Sequence, residues 1–430
     1  MPDTPDSTIV PRIPRVLVVG VVGLIILLGF VLVFRLTSQP NITAPTAGPA
    51  ARPDALANST DPCVVCHRQA SPGIVDQYGH STMASANIKC TDCHQVAADY
   101  PGAEAHQGTF ILKTPTTAKC QTCHQAEVAQ YNQSRHGIPA WVAVEGSQDL
   151  SASLMRIYQN IPEGQFSPDK SRNAIAAMEG KALTIFACED CHAVGKPAQD
   201  GSVGECQKCH LRHEFSLEQA RKPETCNNCH IGPDHPQWEI YQESPHGIAY
   251  ATGKDNFNWE AEPGTLTVKD FPAPTCATCH MSGFGGASTT HDVGDRLTWF
   301  LFAPISVRRP AWQDNQVKMQ TVCLECHNRS FVDTFYTNAD AATDAVNAFV
   351  VQGQDIMKPL YDQQILTNQP FDDPIKYTEF ELWHHWGRTA KFGIWMQGPD
   401  YTQWHGGYEM LKALAELKSE TDQRLKAAGK

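Results

Sequence analysis

The chain contains eight copies of the pattern Cys-x-x-Cys-His, and together they use all 16 of its cysteines. Two thiols at this spacing form thioether bonds to the vinyl groups of a porphyrin, and the histidine that follows binds the iron. Zinc sites and redox dithiols also contain Cys-x-x-Cys, but neither needs a histidine directly after every pair. The sequence therefore predicts eight covalently bound haem c groups. They would be attached at Cys63, Cys66, Cys90, Cys93, Cys120, Cys123, Cys188, Cys191, Cys206, Cys209, Cys226, Cys229, Cys276, Cys279, Cys323 and Cys326, with the motif histidines His67, His94, His124, His192, His210, His230, His280 and His327 as iron ligands.

Of the 18 histidines, ten lie outside the motifs. An iron with histidine on both faces only passes electrons on, whereas a substrate needs one open position on the iron. Seven distal histidines would leave one haem open, so the count permits an open site without requiring one. The predicted distal ligands are His80, His106, His136, His213, His246, His291 and His384, with His385 as an alternative to His384.

One further histidine, His235, follows Asp234 and lies only five residues after the motif histidine His230. It is too close to swing easily to the opposite face of the haem that His230 binds. An aspartate beside a histidine can transfer protons, which every multi-electron conversion of a nitrogen or sulfur compound requires. The two residues are therefore a candidate acid–base pair beside an open iron, the alternative being an ordinary surface pair.

The positions of the motifs predict a mainly α fold with few strands. Eight porphyrins would fill much of the interior of an octahaem domain at residues 61–335, where we expect short helices around each motif and long loops. Residues 336–430 contain no cysteine, and their apolar side chains recur at helical spacing, which predicts a C-terminal region of long helices. One helix is expected to end before Gly398-Pro399, and another to run from about Trp404 to Ala428.

The N-terminal sequence predicts a membrane anchor. Residues 16–34 contain no charge, and a single transmembrane helix needs about 20 such residues. The apolar part of a cleaved signal peptide, the competing interpretation, is only about 7–15 residues long. Arg12 and Arg15 precede the span and place residues 1–15 in the cytoplasm. Because haem c is attached on the outer side of the bacterial membrane, the haem domain would lie in the periplasm, tethered to the inner membrane by a flexible linker at residues 35–60.

The formal net charge of the chain is −12. An acidic surface repels phosphates, so the charge argues against nucleic acid as a partner. It suits a basic electron-transfer partner, such as a small cytochrome c, although the same charge also serves solubility.

The sequence resembles the octahaem hydroxylamine oxidoreductase family over residues 61–430. Besides the eight haem motifs, the resemblance rests on two segments: CNNCHIGPDHPQWE, which begins at Cys226, and GPDYTQWHG, which begins at Gly398. It implies that the fourth haem, whose motif runs from Cys188 to His192, is five-coordinate and catalytic, and that the other seven haems are bis-histidine relays. It also implies that Asp234 and His235 are the acid–base pair of the catalytic haem.

In the second segment, Tyr401 matches the tyrosine that oxidative members of this family crosslink to the catalytic haem of a neighbouring subunit. This match implies a homotrimer that oxidises hydroxylamine, with hydrazine as a related substrate. The anchor is not typical of the soluble family members, and it points to a membrane quinone-linked electron acceptor. Two alternatives stay open: a reductive member that converts nitrite or hydroxylamine to ammonia, and a non-catalytic, membrane-tethered electron-transfer cytochrome.

Overall fold

The structure, a computed structural model, describes residues 52–161 and 167–429. The predicted cytoplasmic segment 1–15, the predicted span 16–34 and most of the predicted linker 35–60 lie outside the described residues. Within the described ranges, none of the helices combines the length and the apolar composition needed to cross a membrane. The anchor therefore stays a prediction from the sequence.

Short helices dominate the first part of the chain. They are α1 (Pro62–Ala70), α2 (Pro72–Gly79), α3 (Thr82–Ser85), α4 (Cys90–His94), α5 (Thr117–Gln121), α6 (Gln125–Gln133), α7 (Ile138–Glu145), α8 (Ala152–Gln159), α9 (Ala174–Glu179), α10 (Lys181–Thr184) and α11 (Cys188–His192). The next ones are α12 (Leu217–Arg221), α13 (Pro223–Asn227), α14 (Gln237–Glu243), α15 (Pro245–Gly253) and α16 (Cys276–His280), and single 3-10 turns occupy Ala193–Gly195, Cys206–Lys208 and Lys254–Asn256.

Strands are few in the described residues, as predicted. Strand β1 (Glu104–His106) pairs antiparallel with β2 (Thr109–Ile111), with Glu104 opposite Ile111. Strand β3 (Trp299–Phe300) pairs antiparallel with β4 (Val307–Arg308), with Trp299 opposite Arg308. These two hairpins are too short to organise the core.

Two motif segments begin a helical turn because the residues before them are good caps. The side chain of Asp61 accepts a hydrogen bond from the backbone nitrogen of Cys63 at 2.8 Å, and Pro62 occupies the first turn. Thr275 caps α16 in the same way, by accepting from the backbone nitrogen of Thr278. Within such a turn, the second cysteine and the histidine follow the first cysteine at i+3 and i+4, which puts all three on one face. A porphyrin needs this arrangement.

From Trp312 onwards most helices are longer, with one short helix among them. They are α17 (Trp312–Cys323), α18 (Arg329–Asp362), α19 (Pro374–Glu381), α20 (Arg388–Met396), α21 (Pro399–Thr402) and α22 (Tyr408–Ala427), with π-helical turns at Leu382–Gly387 and Gln403–Gly407. Helix α18 has 34 residues, about 50 Å, and its apolar side packs on α22 through Val350, Met357, Met410 and Leu417. It begins earlier than predicted, before residue 336, because the Asn328 side chain caps it directly after the last motif.

Candidate functional site

Five of the eight motif histidines lie opposite a second histidine. The ring centres are 5.9–6.3 Å apart in the pairs His67–His106, His94–His213, His136–His230, His210–His291 and His246–His327. A metal bound about 2 Å from one nitrogen of each of two imidazoles separates the ring centres by about 6 Å. The residues therefore fit haem irons with two histidine ligands. Each second histidine of these five pairs is one that the sequence predicted as a distal ligand. The ring centre of His235 also lies 6.2 Å from that of His230, so at this motif the spacing alone fits either His136 or His235 as the second ligand.

Backbone carbonyls orient two of the motif imidazoles. The Nδ1 atom of His94 lies 2.7 Å from the carbonyl oxygen of Leu112, and that of His192 lies 2.6 Å from the carbonyl oxygen of Ala140. A carbonyl only accepts, so Nδ1 carries the proton and donates it. The other nitrogen, Nε2, is left unprotonated, which is the form that binds a metal.

Three motif histidines, His124, His192 and His280, have no second histidine ring opposite them among the described residues. His192 belongs to the fourth motif, the one that the family resemblance marks as catalytic. Burial lowers its pKa, and the charges of His235 and Asp234 also act on it, so both residues lie within electrostatic range. The Sγ atom of Cys191 is 3.8 Å from the carbonyl oxygen of Asn228 in the sixth motif, which brings the two motifs together.

Asp234 is the centre of a cluster of charged and polar side chains. Its Oδ1 atom lies 2.8 Å from Nδ1 of His235, although the ring is not oriented for a regular hydrogen bond. Its Oδ2 atom accepts a hydrogen bond from Nη1 of Arg388 at 3.2 Å and lies 3.9 Å from Nε2 of His384. The aspartate therefore joins its own loop to a helical segment that is about 150 residues away in the sequence.

The neighbours of Asp234 fix its ionisation. Burial alone would raise its pKa, but His235, His384 and Arg388 outweigh burial and lower the pKa to about 2. Burial and the positive charge of Arg388 lower the pKa of His384 to about 3. Burial also lowers the pKa of Arg388, to about 10. At neutral pH the cluster thus contains an ionised carboxylate, a charged guanidinium and a neutral His384.

A π-helical turn and the helix after it carry the residues on one side of this cluster. The turn Leu382–Gly387 contains His384 and runs directly into helix α20, whose first residue is Arg388. The ring of Phe380 stacks on His384 with the centres 4.2 Å apart, and the hydroxyl of Thr389 donates to the carbonyl oxygen of Pro233 at 2.9 Å. π-helical turns are frequent at functional sites. The contacts hold the helix against the loop that carries Asp234.

The structure places His384 differently from the prediction. Among the described residues, no ring contact joins it to a motif histidine; its Nε2 atom lies 2.9 Å from Nη1 of Arg388. A guanidinium can only donate, so this nitrogen accepts a hydrogen bond and cannot also bind an iron. His384 therefore belongs to the Asp234 cluster. The distal role of His80, whose Nδ1 lies 2.8 Å from the Asp76 carbonyl oxygen, stays a prediction.

Tyr401 lies apart from this cluster. Its ring centre is 4.9 Å from that of His405, whose Nε2 atom lies 3.1 Å from Oδ2 of Asp400. Burial raises the pKa of the tyrosine, with a further contribution from Glu243 and Glu239 of helix α14. No contact joins Tyr401 to Asp234 within the described ranges.

Arg388 was not predicted from the sequence. It lies in the helical stretch around Trp383, Trp386 and Ala390, where an apolar face predicts only packing. A signal was nevertheless available, since a buried face with an arginine in it must pair that charge with an acid. The sequence contained no indication that the acid would be Asp234.

A family model described as seven times multi-haem cytochrome CxxCH matches residues 86–374. The probable nitrite reductase-hydroxylamine oxidoreductase fusion protein of Kuenenia stuttgartiensis is 29% identical over 257 residues, which cover 51% of this chain and 25% of that protein. This chain therefore spans about a quarter of the length of that relative.

Two solved structures share the fold. A hypothetical multiheme protein superposes with a TM-score of 0.73 at 20% identity, covering 86% of this chain and 96% of the other. A chain of the Kuenenia stuttgartiensis reducing HAO-like protein complex superposes with a TM-score of 0.63 at 20% identity, covering 85% of each. The family match covers seven motifs, those that begin at Cys90 and end with His327, and its CxxCH motifs indicate covalently bound haem c. The chain belongs to this family of multihaem cytochromes.

Proposed function

We propose that this chain is an oxidoreductase that oxidises hydroxylamine, with hydrazine as a related substrate, at the fourth motif. One observation carries the proposal: the Asp234–His235 pair lies within electrostatic range of His192, a motif histidine without a second histidine ring opposite it among the described residues. A small nitrogen compound could reach such an iron, and the protons that it loses would meet an imidazole. A cytochrome that only relays electrons has no use for this pair.

When bound, the haem of the fourth motif supplies an iron position for the substrate and takes up its electrons. Asp234 stays ionised at neutral pH, because its pKa is about 2, and attracts the Nδ1 proton of His235. The Nε2 atom of His235 then accepts a proton from the substrate, as a general base does. The imidazolium that forms is stabilised by the carboxylate at its other nitrogen.

The histidine pairs support a relay of electrons away from this site. Five pairs at about 6 Å fit five bis-histidine haems, and we propose seven such haems among the eight that the motifs would attach. The first motif, Cys63 to His67, lies outside the matched family region, yet its histidine forms one of the pairs, with His106. Mass spectrometry of the intact protein tests the count. Replacing both Cys63 and Cys66 by serine should remove one haem and leave seven.

A reductive function is the second candidate, and the similarity to one relative favours it. The Kuenenia stuttgartiensis protein is a probable nitrite reductase-hydroxylamine oxidoreductase fusion protein, so its name contains both activities. In this reading His235 would deliver protons to the substrate instead of removing them.

The remaining assignments extend the proposal. Tyr401 would be crosslinked to the catalytic haem of a neighbouring subunit in a homotrimer. Residues 16–34 would anchor the chain in the inner membrane, with the haem domain in the periplasm and a cytochrome c or a quinone-linked membrane protein as electron acceptor. Fractionation of cells that produce the full chain, or a variant without residues 1–35, tests the anchor.

Two assays with the purified holoprotein test the function. Hydroxylamine with an oxidised artificial acceptor measures the oxidative direction, and nitrite with a reduced donor measures the reductive one. We expect turnover in the first assay, and its loss in His235→Ala with unchanged visible bands of the other haems. Turnover of nitrite alone would replace the proposal by the reductive function. Inactivity in both assays, together with no binding of carbon monoxide, would leave a pure electron-transfer cytochrome.

A further inference from the structure

We propose that Arg388 is a positioning residue of this site: its guanidinium holds the carboxylate of Asp234 and the imidazole of His384 in one fixed arrangement, so that His235 meets the correct oxygen. The inference rests on the proposed function in taking Asp234 and His235 as the acid–base pair. It adds a residue that acts through them.

The donors of Arg388 are divided between the site and a neighbouring loop. Its Nη1 atom donates to Oδ2 of Asp234 at 3.2 Å and to Nε2 of His384 at 2.9 Å. Its Nε and Nη2 atoms donate to the carbonyl oxygen of Phe302 at 3.0 and 2.8 Å. The planar guanidinium fixes the angle between these donors. The carbonyl therefore sets the direction in which Nη1 points.

The two hydrogen bonds from Nη1 determine which oxygen of Asp234 is free and which nitrogen of His384 carries the proton. Because Nη1 donates to Oδ2 of Asp234, that oxygen is occupied and Oδ1 is the one that faces His235. Because Nη1 also donates to Nε2 of His384, the proton of that neutral imidazole must sit on Nδ1. His384 thus cannot offer a proton to the carboxylate in competition with His235.

Packing keeps the guanidinium in place. The side chain of Arg388 is only 13% exposed, and its guanidinium carbon lies 5.1 Å from the ring centre of Trp383 and 5.3 Å from that of Phe302. Cation–π contacts of this kind are favourable, and the bulky rings prevent other rotamers. A lysine could keep the charge at this position but could not make all four hydrogen bonds.

The chain offers a matched control in Lys391, one turn further along helix α20. Its Nζ atom donates to the carbonyl oxygens of Ala303 and Pro304 at 3.1 and 3.4 Å, so it ties the same loop to the same helix. Its side chain is fully buried and makes no contact with Asp234 among the described residues. Lys391→Met therefore removes hydrogen bonds that attach the loop to the helix and leaves the contacts of Asp234 in place.

The experiment compares wild type, Arg388→Met, Arg388→Lys and Lys391→Met as holoproteins. Crystal structures should show Asp234 and His384 displaced in Arg388→Met and unchanged in Lys391→Met. Loss of a hydrogen-bonding partner that orients a metal ligand typically costs about 10–100-fold in activity, and Arg388 stands in a comparable relation to Asp234, so a loss of this size is expected in steady-state assays of hydroxylamine and of nitrite. We expect this loss in kcat rather than KM for Arg388→Met, partial rescue in Arg388→Lys, and near wild-type kcat in Lys391→Met.

Two results would overturn the inference. One is an unchanged position of Asp234 and His384 in Arg388→Met; the other is an equal displacement, or an equal loss of kcat, in Lys391→Met, which would make the effect one of loop attachment. If Arg388→Met does not fold, the comparison rests on Arg388→Lys. A wild-type protein that turns over neither substrate would refute the proposed function, while the crystal structures would still decide whether Arg388 positions the pair.

Discussion

Oδ1 of Asp234 lies 2.8 Å from Nδ1 of His235, while the other oxygen of the same carboxylate accepts a hydrogen bond from Arg388. The two oxygens therefore have separate tasks. One faces the imidazole that handles protons, and the other is tied to a fixed cation. Because both partners of Asp234 depend on its negative charge, a substitution that removes only this charge tests its role directly.

Replacing Asp234 by asparagine keeps the shape of the side chain and removes its charge. We expect turnover to fall by about 100- to 10,000-fold, the usual contribution of a general acid–base group, because His235 loses the anion that orients and stabilises it. The steady-state rate with hydroxylamine measures the effect.

Asp373→Asn is the matched control for this change. Asp373 also pairs with an arginine, Arg424 at 2.7 Å, and both aspartate side chains are 24% exposed. This pair joins helices α19 and α22 away from the histidines, so its loss should leave turnover unchanged. Equal losses in the two variants would show that the cost is one of stability, not of proton transfer.

Replacing a distal histidine should open an iron. In His291→Ala the ring opposite His210, 6.3 Å away, is lost, so we expect one additional haem to bind carbon monoxide. The covalent haem content should not change, since the thioether bonds remain. His384→Ala should add no such haem, because its Nε2 faces Arg388. Optical titration with carbon monoxide measures both, and a gain in His384→Ala would restore that residue to the distal ligands.

Lys391 should make stability depend on pH in an unusual direction. Burial, aided by Arg388, lowers its pKa from 10.5 to about 7. Between these two values the unfolded chain holds a proton that the folded protein has released, so stability rises with pH, by at most about 1.4 kcal/mol per pH unit. Below about pH 7 the lysine is charged in both the folded and the unfolded state, so the folded protein bears the full free-energy cost of burying a charged amine.

Thermal unfolding of wild type and Lys391→Met across this window measures the effect. The Tm of wild type should increase relative to that of the variant as the pH rises from about 7 towards 10.5. A constant difference between the two would mean that the buried amine keeps its proton.

Tyr401→Phe tests the covalent crosslink. We expect wild type to show a red-shifted band in the dithionite-reduced spectrum and subunits that stay linked on a denaturing, haem-stained gel. Phenylalanine has no oxygen to form the bond, so both features should disappear in the variant. Ordinary c-type bands and a clean monomer in wild type would remove the crosslink and favour the reductive function.

The sequence was most informative where chemistry demands fixed spacing. Each Cys-x-x-Cys-His motif is local, and apolar periodicity predicts the part of helix Arg329–Asp362 that follows residue 336, although not its start. Contacts between distant segments were beyond its reach: nothing in the sequence pairs His94 with His213, or Asp234 with Arg388. Two residues of the same type can also have different roles that the sequence does not distinguish. His291 and His384 were both predicted as ligands, and only tertiary packing distinguishes an imidazole opposite another imidazole from one that accepts a hydrogen bond from a guanidinium.

The π-helical turn Leu382–Gly387 gives this segment some tolerance of a change in chain length. Such a turn holds one residue more than an α-helical turn. A deletion of one residue within it would leave a regular α-helical turn, and Arg388 would keep nearly the same direction about the helix axis. A deletion within α20 itself has no extra residue to absorb it and would rotate everything that follows by about 100° around the helix axis, which would turn the later core side chains of α20 away from α18. Deletions beyond this turn should therefore be far more damaging than a deletion inside it.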